Sequence, residues 1–150
     1  MIKILFICHG NICRSPMAEF DLKKMTQERG IASDFTIASA ATSTEEIGNS
    51  VYPPARKVME AHGIRCDGKR ARQMKRRDYD EYDYLIGMDE ENRWNMKRMT
   101  GGDPDGRVYC LLDFTDHPRE VADPWYTRNF DATWKDINEG CEAFLSWLGY

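Results

Sequence analysis

Ile4-Leu5-Phe6-Ile7 runs without interruption into Cys8-His9-Gly10-Asn11-Ile12-Cys13-Arg14-Ser15-Pro16. This junction constrains the chain more than any other stretch. Consecutive apolar residues with no alternation need burial on both faces, which suits a strand inside a parallel sheet. The glycine and asparagine that follow ask for a turn, and Ser15-Pro16 reads as the N-cap and first position of a helix. A short loop between a buried strand and a helix points several backbone N–H groups inward, where the helix N-terminus adds positive potential. The segment therefore predicts an anion cradle. It carries a nucleophile, Cys8, whose thiolate such a site favours, and a planar fork of donors, Arg14, suited to a tetrahedral oxyanion.

Helical spacing of Ala18, Leu22 and Met25 continues to a stop at Gly30. A second strand is expected over Phe35–Ala38, followed by a polar loop from Ser39 to Pro54. A helix over Ala55–His62 ends at Gly63, and Tyr82–Met88 gives another buried strand. Asp89 caps a helix through Met99. Beyond the turn cluster Gly101-Gly102-Asp103-Pro104-Asp105-Gly106, Val108–Leu112 reads as the last strand. A loop over Asp113–Asn129 leads to a final helix whose apolar stripe is Trp134, Ile137, Cys141, Phe144, Leu145 and Leu148. Alternating strands and helices predict an α/β fold. A length of 150 residues suits one domain, 1–150, with a core that needs neither disulfide nor metal.

Composition narrows the function. A net charge of −4 argues against general nucleic-acid binding, and no apolar run is long enough to span a membrane. The N-terminus lacks a charged segment followed by a long apolar one, so no export leader is expected. The five cysteines, 8, 13, 66, 110 and 141, are odd in number and suggest no disulfide framework. A cytoplasmic setting follows, with Cys66, Cys110 and Cys141 read as small buried hydrophobes. A nucleotide-binding P-loop is excluded by the absence of Gly-Lys-Ser or Gly-Lys-Thr.

Around Cys8, Gly10 permits close backbone approach, Asn11 offers a brace or a left-handed turn, and the Ser15 hydroxyl can donate to sulfur. The chemistry implied is phosphoryl transfer through sulfur. The segment Cys8–Pro16 resembles the phosphate-binding loop of the low-molecular-weight protein tyrosine phosphatases, with His9 at a position that family leaves variable. Ser39-Ala40-Ala41-Thr42-Ser43 and Glu46-Ile47-Gly48-Asn49 resemble the loop that walls its substrate cleft. Met88-Asp89-Glu90-Glu91-Asn92 and Asp123-Pro124-Trp125-Tyr126 resemble two further signatures. The similarity runs in order along almost the whole chain.

This resemblance implies a single-domain four-stranded parallel sheet flanked by helices on both faces, with no metal or cofactor. It implies hydrolysis of phosphotyrosine and aryl phosphate monoesters through a phosphocysteine. Cys8 would be the nucleophile and Arg14 the phosphate clamp. Asp123 would be the general acid, then the base; by itself, Asp before Pro is equally a turn residue. His9, Gly10, Asn11, Ile12, Cys13 and Ser15 would complete the phosphate-binding loop, braced by Asn11 and Ser39. Asp89 is a helix cap, an orienter of Arg14, or both. Trp125 and Tyr126 could be core aromatics, but after Asp123 they are expected to wall the cleft. A deep apolar slot favours phosphotyrosine over the shorter phosphoserine. Expected partners are phosphotyrosine-containing proteins, with phosphate or other oxyanions as inhibitors.

Two residues depart from the family pattern. Glu45 stands in the specificity loop where relatives often carry an aromatic, and Lys69 stands where many carry histidine. Glu45 in the cleft would repel acidic flanking sequence. The basic run Lys69–Arg77 would attract it if nearby, or else form a solvated face. Thioredoxin-coupled arsenate reductases share the loop, but this chain has no cysteine between Cys66 and Cys110 for their relay. A binding module without turnover would be expected to lack Cys8 or Asp123. Finally, Cys13 in the same tight loop is expected to capture oxidised Cys8 as a disulfide.

Overall fold

Ile4, Leu5, Phe6 and Ile7 are wholly buried in the middle of β1 (Ile2–Cys8), as an uninterrupted apolar run requires. The computed structural model describes residues 1–150. β1 lies between β2 (Phe35–Ala41) and β3 (Tyr84–Gly87), with β4 (Val108–Cys110) outside β3, giving the order β2-β1-β3-β4. All pairings are parallel. Strand order reverses at β1, so a crevice opens beyond the carboxyl end of that strand, the usual ligand position in open α/β sheets. Cys8 is its last residue.

Because side chains alternate across a strand, β1 supplies two cores. Ile4, Phe6 and Cys8 pack with α1 (Arg14–Glu28), α2 (Pro53–Ala61) and α6 (Phe130–Trp147). Leu5 and Ile7 pack on the other side with Met74, Tyr79 of α3 (Arg76–Glu81) and Met96 of α4 (Glu90–Met99). Helices thus cover both faces. Gly140 allows α6 to lie close on the sheet's far end, since a Cβ there would overlap the Leu111 side chain. No helix is long and apolar enough to cross a membrane.

Several boundaries differ from the sequence reading. Cys13, not Ser15, is the N-cap of α1, because the Ser15 hydroxyl is engaged by Cys8 and Asn11 instead. Pro16 is tolerated in the first turn, where helical N–H groups have no intrahelical partner anyway. β2 continues through Ser39–Ala41, pairing as far as Ala41 with Cys8, so Ser39 belongs to a strand rather than a loop. α2 starts at Pro53 and ends at Ala61. β3 is shorter than Tyr82–Met88, and the last strand stops at Cys110, where Leu111–Phe114 turn into a 3₁₀ helix. The short helices α3 and α5 (Pro124–Thr127) carry too few residues to show a period.

Candidate active site

The turn after β1 wraps its backbone around one sulfur. Asn11 and Ser15 direct their N–H groups at Cys8 Sγ, at 3.3 Å and 3.4 Å, and Ser15 Oγ lies 3.0 Å from it. Asn11 makes the turn possible by adopting φ +61°, a left-handed conformation that asparagine tolerates better than most residues. A Cβ at Gly10 would come within 3.3 Å of Glu46 Cγ, so a side chain there would push Glu46 aside.

Hydrogen-bond directions in the layer beneath are fixed by elimination. Asn11 Oδ1 accepts from the Arg72 N–H at 3.2 Å, so its amide nitrogen is the atom that faces Ser15 Oγ at 2.8 Å and Ser39 Oγ at 2.9 Å. Ser15 Oγ accepts there, which leaves its hydrogen for the sulfur. Ser39 likewise accepts from Asn11 and donates to Glu19 Oε1 at 2.5 Å. Glu19 is buried, paired with Lys23 at 2.6 Å and Lys69 at 3.7 Å. Lys69 also donates to the Ser39 carbonyl at 3.0 Å. Every polar side-chain atom in this buried layer has a partner, as a stable buried network must.

The basic run therefore divides. Lys69 supports the cradle from below, Arg72 pairs with buried Asp78 at 3.0 Å, and Met74 is core. Only Arg70, Lys75, Arg76 and Arg77 remain exposed. The segment is not a continuous solvated face, because Ala41 and Gln73 pair as a parallel bridge and draw it against the edge of β2.

At the end of the same loop stands Arg14, buried at the start of α1. Its Nη1 donates to Asp89 Oδ2 and to the Val121 carbonyl, each at 2.8 Å. Both Nη1 hydrogens are thus occupied, leaving Nε and Nη2 for an anion. Burial by itself would lower the guanidinium's pKa, but the Cys8, Asp89 and Asp123 charges outweigh it and raise the value. Asp89 performs two tasks, since its other oxygen caps α4 by accepting from the Asn92 N–H at 2.8 Å. Asp123 is the N-cap of α5, accepting from the Trp125 N–H at 3.0 Å, and its second oxygen lies 3.5 Å from Arg14 Nη2.

These groups enclose a cleft of about 380 Å³ lined by Cys8, His9, Gly10, Ile12, Cys13 and Arg14 from one side. Glu45, Glu46, Asp123, Trp125 and Tyr126 form the remainder. Trp125 and Tyr126 are exposed at its mouth rather than buried in the core. His9 Nε2 meets Glu45 Oε2 at 3.0 Å on the rim. Asn11 and Ser15 lie beneath the lining rather than in it, with Ser39 bonded to Asn11, and Asp89 meets the lining through Arg14.

Glu46 lines the cleft as the resemblance of its loop implies, whereas Glu19 and Val121 were not legible as site residues. Chain folding brings these two in from separate segments, and neither sits in a motif that demands its residue type. No group of three His, Cys, Asp or Glu residues is placed to hold a metal ion. Burial raises the thiol pKa values of Cys66, Cys110 and Cys141, Cys110 to about 12.

Comparisons agree with this geometry. A family model described as low molecular weight phosphotyrosine protein phosphatase matches residues 3–149. The Bacillus subtilis low molecular weight protein-tyrosine-phosphatase YfkJ is 36% identical over 148 residues, 97% of this chain and 95% of that protein. The crystal structure of YfkJ superposes with a TM-score of 0.96, covering 99% of this chain and 95% of that one. A low molecular weight protein tyrosine phosphatase from Streptococcus pyogenes is 37% identical with a TM-score of 0.88, covering 99% and 93%. A Drosophila arginine phosphatase is 25% identical with a TM-score of 0.91, covering 99% of each chain. The chain therefore belongs to the low molecular weight phosphotyrosine protein phosphatase family and is an enzyme of the protein-tyrosine-phosphatase class.

Proposed function

We propose that this enzyme hydrolyses phosphotyrosine and aryl phosphate monoesters through a phosphocysteine formed on Cys8. The observation that carries this reading is the placement of Cys8 Sγ. Three donors surround it, at 3.0, 3.3 and 3.4 Å, and a guanidinium and a carboxylate line the same cleft. Donors aimed at a sulfur hold it as the thiolate that attacks.

In the first step Cys8 Sγ forms a bond to phosphorus in line with the departing oxygen, whose bond to phosphorus breaks. The proton on Asp123 moves to that oxygen, so a phenol leaves rather than a phenolate. Arg14 and the backbone N–H groups of the loop stabilise the three equatorial oxygens, where charge is spread in the transition state. In the second step water attacks phosphorus, the Asp123 carboxylate takes its proton, and the Cys8 thiolate departs, releasing inorganic phosphate. The network behind Asn11 keeps the cradle in shape through both steps, so no reorganisation is required as charge moves.

Trp125 and Tyr126 supply apolar walls for an aromatic ring, and the depth of Cys8 requires a side chain long enough to reach it. The test is competition among phosphotyrosine, phosphoserine, phosphothreonine and phosphoarginine peptides of otherwise identical sequence. A kcat/KM for phosphotyrosine at least about tenfold above each of the others is expected, since phosphoserine and phosphothreonine are too short to bring phosphorus to the sulfur and phosphoarginine offers no aromatic ring to the Trp125 and Tyr126 walls. A preference for phosphoarginine, the chemistry named for the Drosophila neighbour, would overturn the reading of the substrate while leaving the cradle intact.

A further inference from the structure

Arg128, just beyond α5, is not explained by the machinery described so far. It is the C-cap of α5 and holds φ +59°, a conformation that costs a non-glycine residue and that glycine adopts freely. Its side chain is exposed, yet it is fully engaged with aromatic rings. The guanidinium carbon sits 5.7 Å from the Tyr52 ring, 5.8 Å from Trp125 and 5.7 Å from Phe130. Nη2 donates to the Tyr52 hydroxyl at 3.3 Å. Tyr52 in turn packs on Trp125 and Phe130 with ring centroids 5.1 Å and 6.0 Å apart.

Tyr52 connects this cage to the cradle. Its N–H donates to the carbonyl of Ile12 at 2.9 Å, in the middle of the phosphate loop. A path of contacts therefore runs from Ile12 through Tyr52 and Arg128 to Trp125, two residues beyond Asp123. Otherwise the α5 turn has few ties to the body: before it, Val121 bonds to Met88 and Arg14 and the Ala122 carbonyl accepts from Thr133 Oγ1 at 3.3 Å, and Arg14 meets Asp123 at 3.5 Å. A cation shared by three rings is attracted to all of them, even at an exposed site. A strained backbone persists only where surrounding contacts over-determine it.

We propose that Arg128 is a positioning residue: its guanidinium clamps the α5 turn to Tyr52 and thereby holds Asp123 over the phosphate loop. The proposal rests on the assignment of Asp123 as the acid, and its test separates the two. In Arg128→Gly the αL backbone becomes unstrained, so the melting temperature should not fall, while the clamp is lost. kcat for phenyl phosphate should drop about tenfold, a modest share of what a general acid supplies. Turnover of 2,4-dinitrophenyl phosphate, whose leaving group needs no proton, should change less than about twofold. Arg128→Lys, which keeps a cation over the rings without the planar fork, should recover part of the loss.

In an Asp123→Asn background, Arg128→Gly should have no further effect, because residues that act through one another are non-additive. Amide hydrogen exchange at Trp125, Tyr126 and Thr127 should quicken in Arg128→Gly, with the Asn11 and Ser15 amides unchanged. Unaltered exchange at α5 would overturn the clamp whatever the role of Asp123. A loss equal for all leaving groups, or one that persists in the Asp123→Asn background, would also overturn it. Absence of leaving-group dependence in Asp123→Asn alone would instead refute the acid assignment, and exchange would still decide the clamp.

Discussion

The two walls of the cleft are built on opposite principles. The cradle is buried and saturated with hydrogen bonds. Cys8 and the supporting residues Asn11, Ser15, Ser39 and Glu19 all lie at or below 5% exposure, linked by bonds whose directions are mutually determined. The acid turn is a four-residue helix at the surface, with Trp125 and Tyr126 exposed. It is held by caps, aromatic contacts and a long ion pair. An anion site gains from preorganisation, because donors that are already aimed need no rearrangement as charge develops. A group that must meet a bulky leaving group, then admit water, gains from standing at an open edge. The difference predicts that changes in the cradle are severe for every substrate, whereas changes in the acid turn depend on the substrate.

The largest effect is expected from Cys8→Ser, which should lower kcat by at least ~10⁴-fold for all aryl phosphates, because the hydroxyl is a far weaker nucleophile. Phosphate or vanadate binding should persist, since the loop amides and Arg14 remain, and isothermal titration measures it. Substantial residual turnover would remove Cys8 from the reaction. Arg14→Lys comes next, with a loss of about 10²–10³-fold independent of leaving group, because an ammonium does not reproduce bidentate contact with a phosphoryl group. Near-normal kcat/KM in that variant would break the assignment of Arg14 as the clamp.

Asp123→Asn tests the other wall. The amide keeps the shape and the cap oxygen but has no carboxyl proton to give, so kcat for phenyl phosphate should fall about 10²-fold or more. Substrates with acidic phenols should lose only a few-fold. A plot of log kcat against phenol pKa should thus steepen relative to wild type, measured where formation of the phosphocysteine limits the rate. Parallel lines would mean that the two walls do not divide the work as described.

This contrast also governs what could be read from sequence. The cradle was legible because strand, turn, nucleophile and guanidinium are contiguous, so spacing alone forces them together. Its brace was legible as far as Asn11 and Ser39. Glu19 is an acidic residue within a helix, and Lys69 opens a run whose composition suggests a solvated face; only the β1–β2 register and the burial of α1 bring them beneath the turn. On the acid side, Asp123 before Pro124 is ordinary turn chemistry, and similarity to a family singled it out. Tyr52 and Arg128 carried no signal, because their partnership depends on how α2, α5 and α6 converge. The missed helices α3 and α5 fail for a simpler reason, being no longer than about two turns.

A smaller effect is expected at Cys13, inside the cradle. Burial pushes its thiol up to about 12, with the Cys8 and Asp123 charges adding to the rise. Cys13 is therefore held protonated. In the oxidation, sulfur of the Cys8 thiolate attacks one oxygen of hydrogen peroxide, the O–O bond breaks and hydroxide leaves, giving a neutral sulfenic acid that no longer adds to that rise. Attack by Cys13 sulfur then forms the S–S bond and expels water. Peroxide-treated wild type should recover activity with dithiothreitol several-fold better than Cys13→Ser, in which Cys8 proceeds to sulfinic acid. Mass mapping of a Cys8–Cys13 cross-link checks this, and equal recovery in both proteins would refute it.

The smallest effect should leave catalysis untouched and so marks where the contrast between the walls ends. Asp21 lies farther along α1, the helix whose first turn shapes the cradle, and accepts from Asn138 of α6 at 3.1 and 3.3 Å. Burial pushes its carboxyl up from 3.8 to about 6, against those hydrogen bonds and with the Glu142 charge assisting. The folded protein thus holds this proton more tightly than the unfolded chain. Its contribution to stability is fully present below about pH 4, falls as pH rises toward 6, and is absent above that, a loss of roughly 2–3 kcal/mol. Asp21→Asn abolishes the titration and, after forfeiting one hydrogen bond, should stabilise by about 1 kcal/mol at pH 8, or about 2–4 °C in Tm. At pH 4 the gain should vanish or reverse. Melting wild type and variant side by side cancels every other titration. Because α6 follows directly from the acid turn, a change in leaving-group dependence in this variant would show that the α1–α6 junction couples cradle to acid; unchanged kcat for all substrates would show that each wall is set locally.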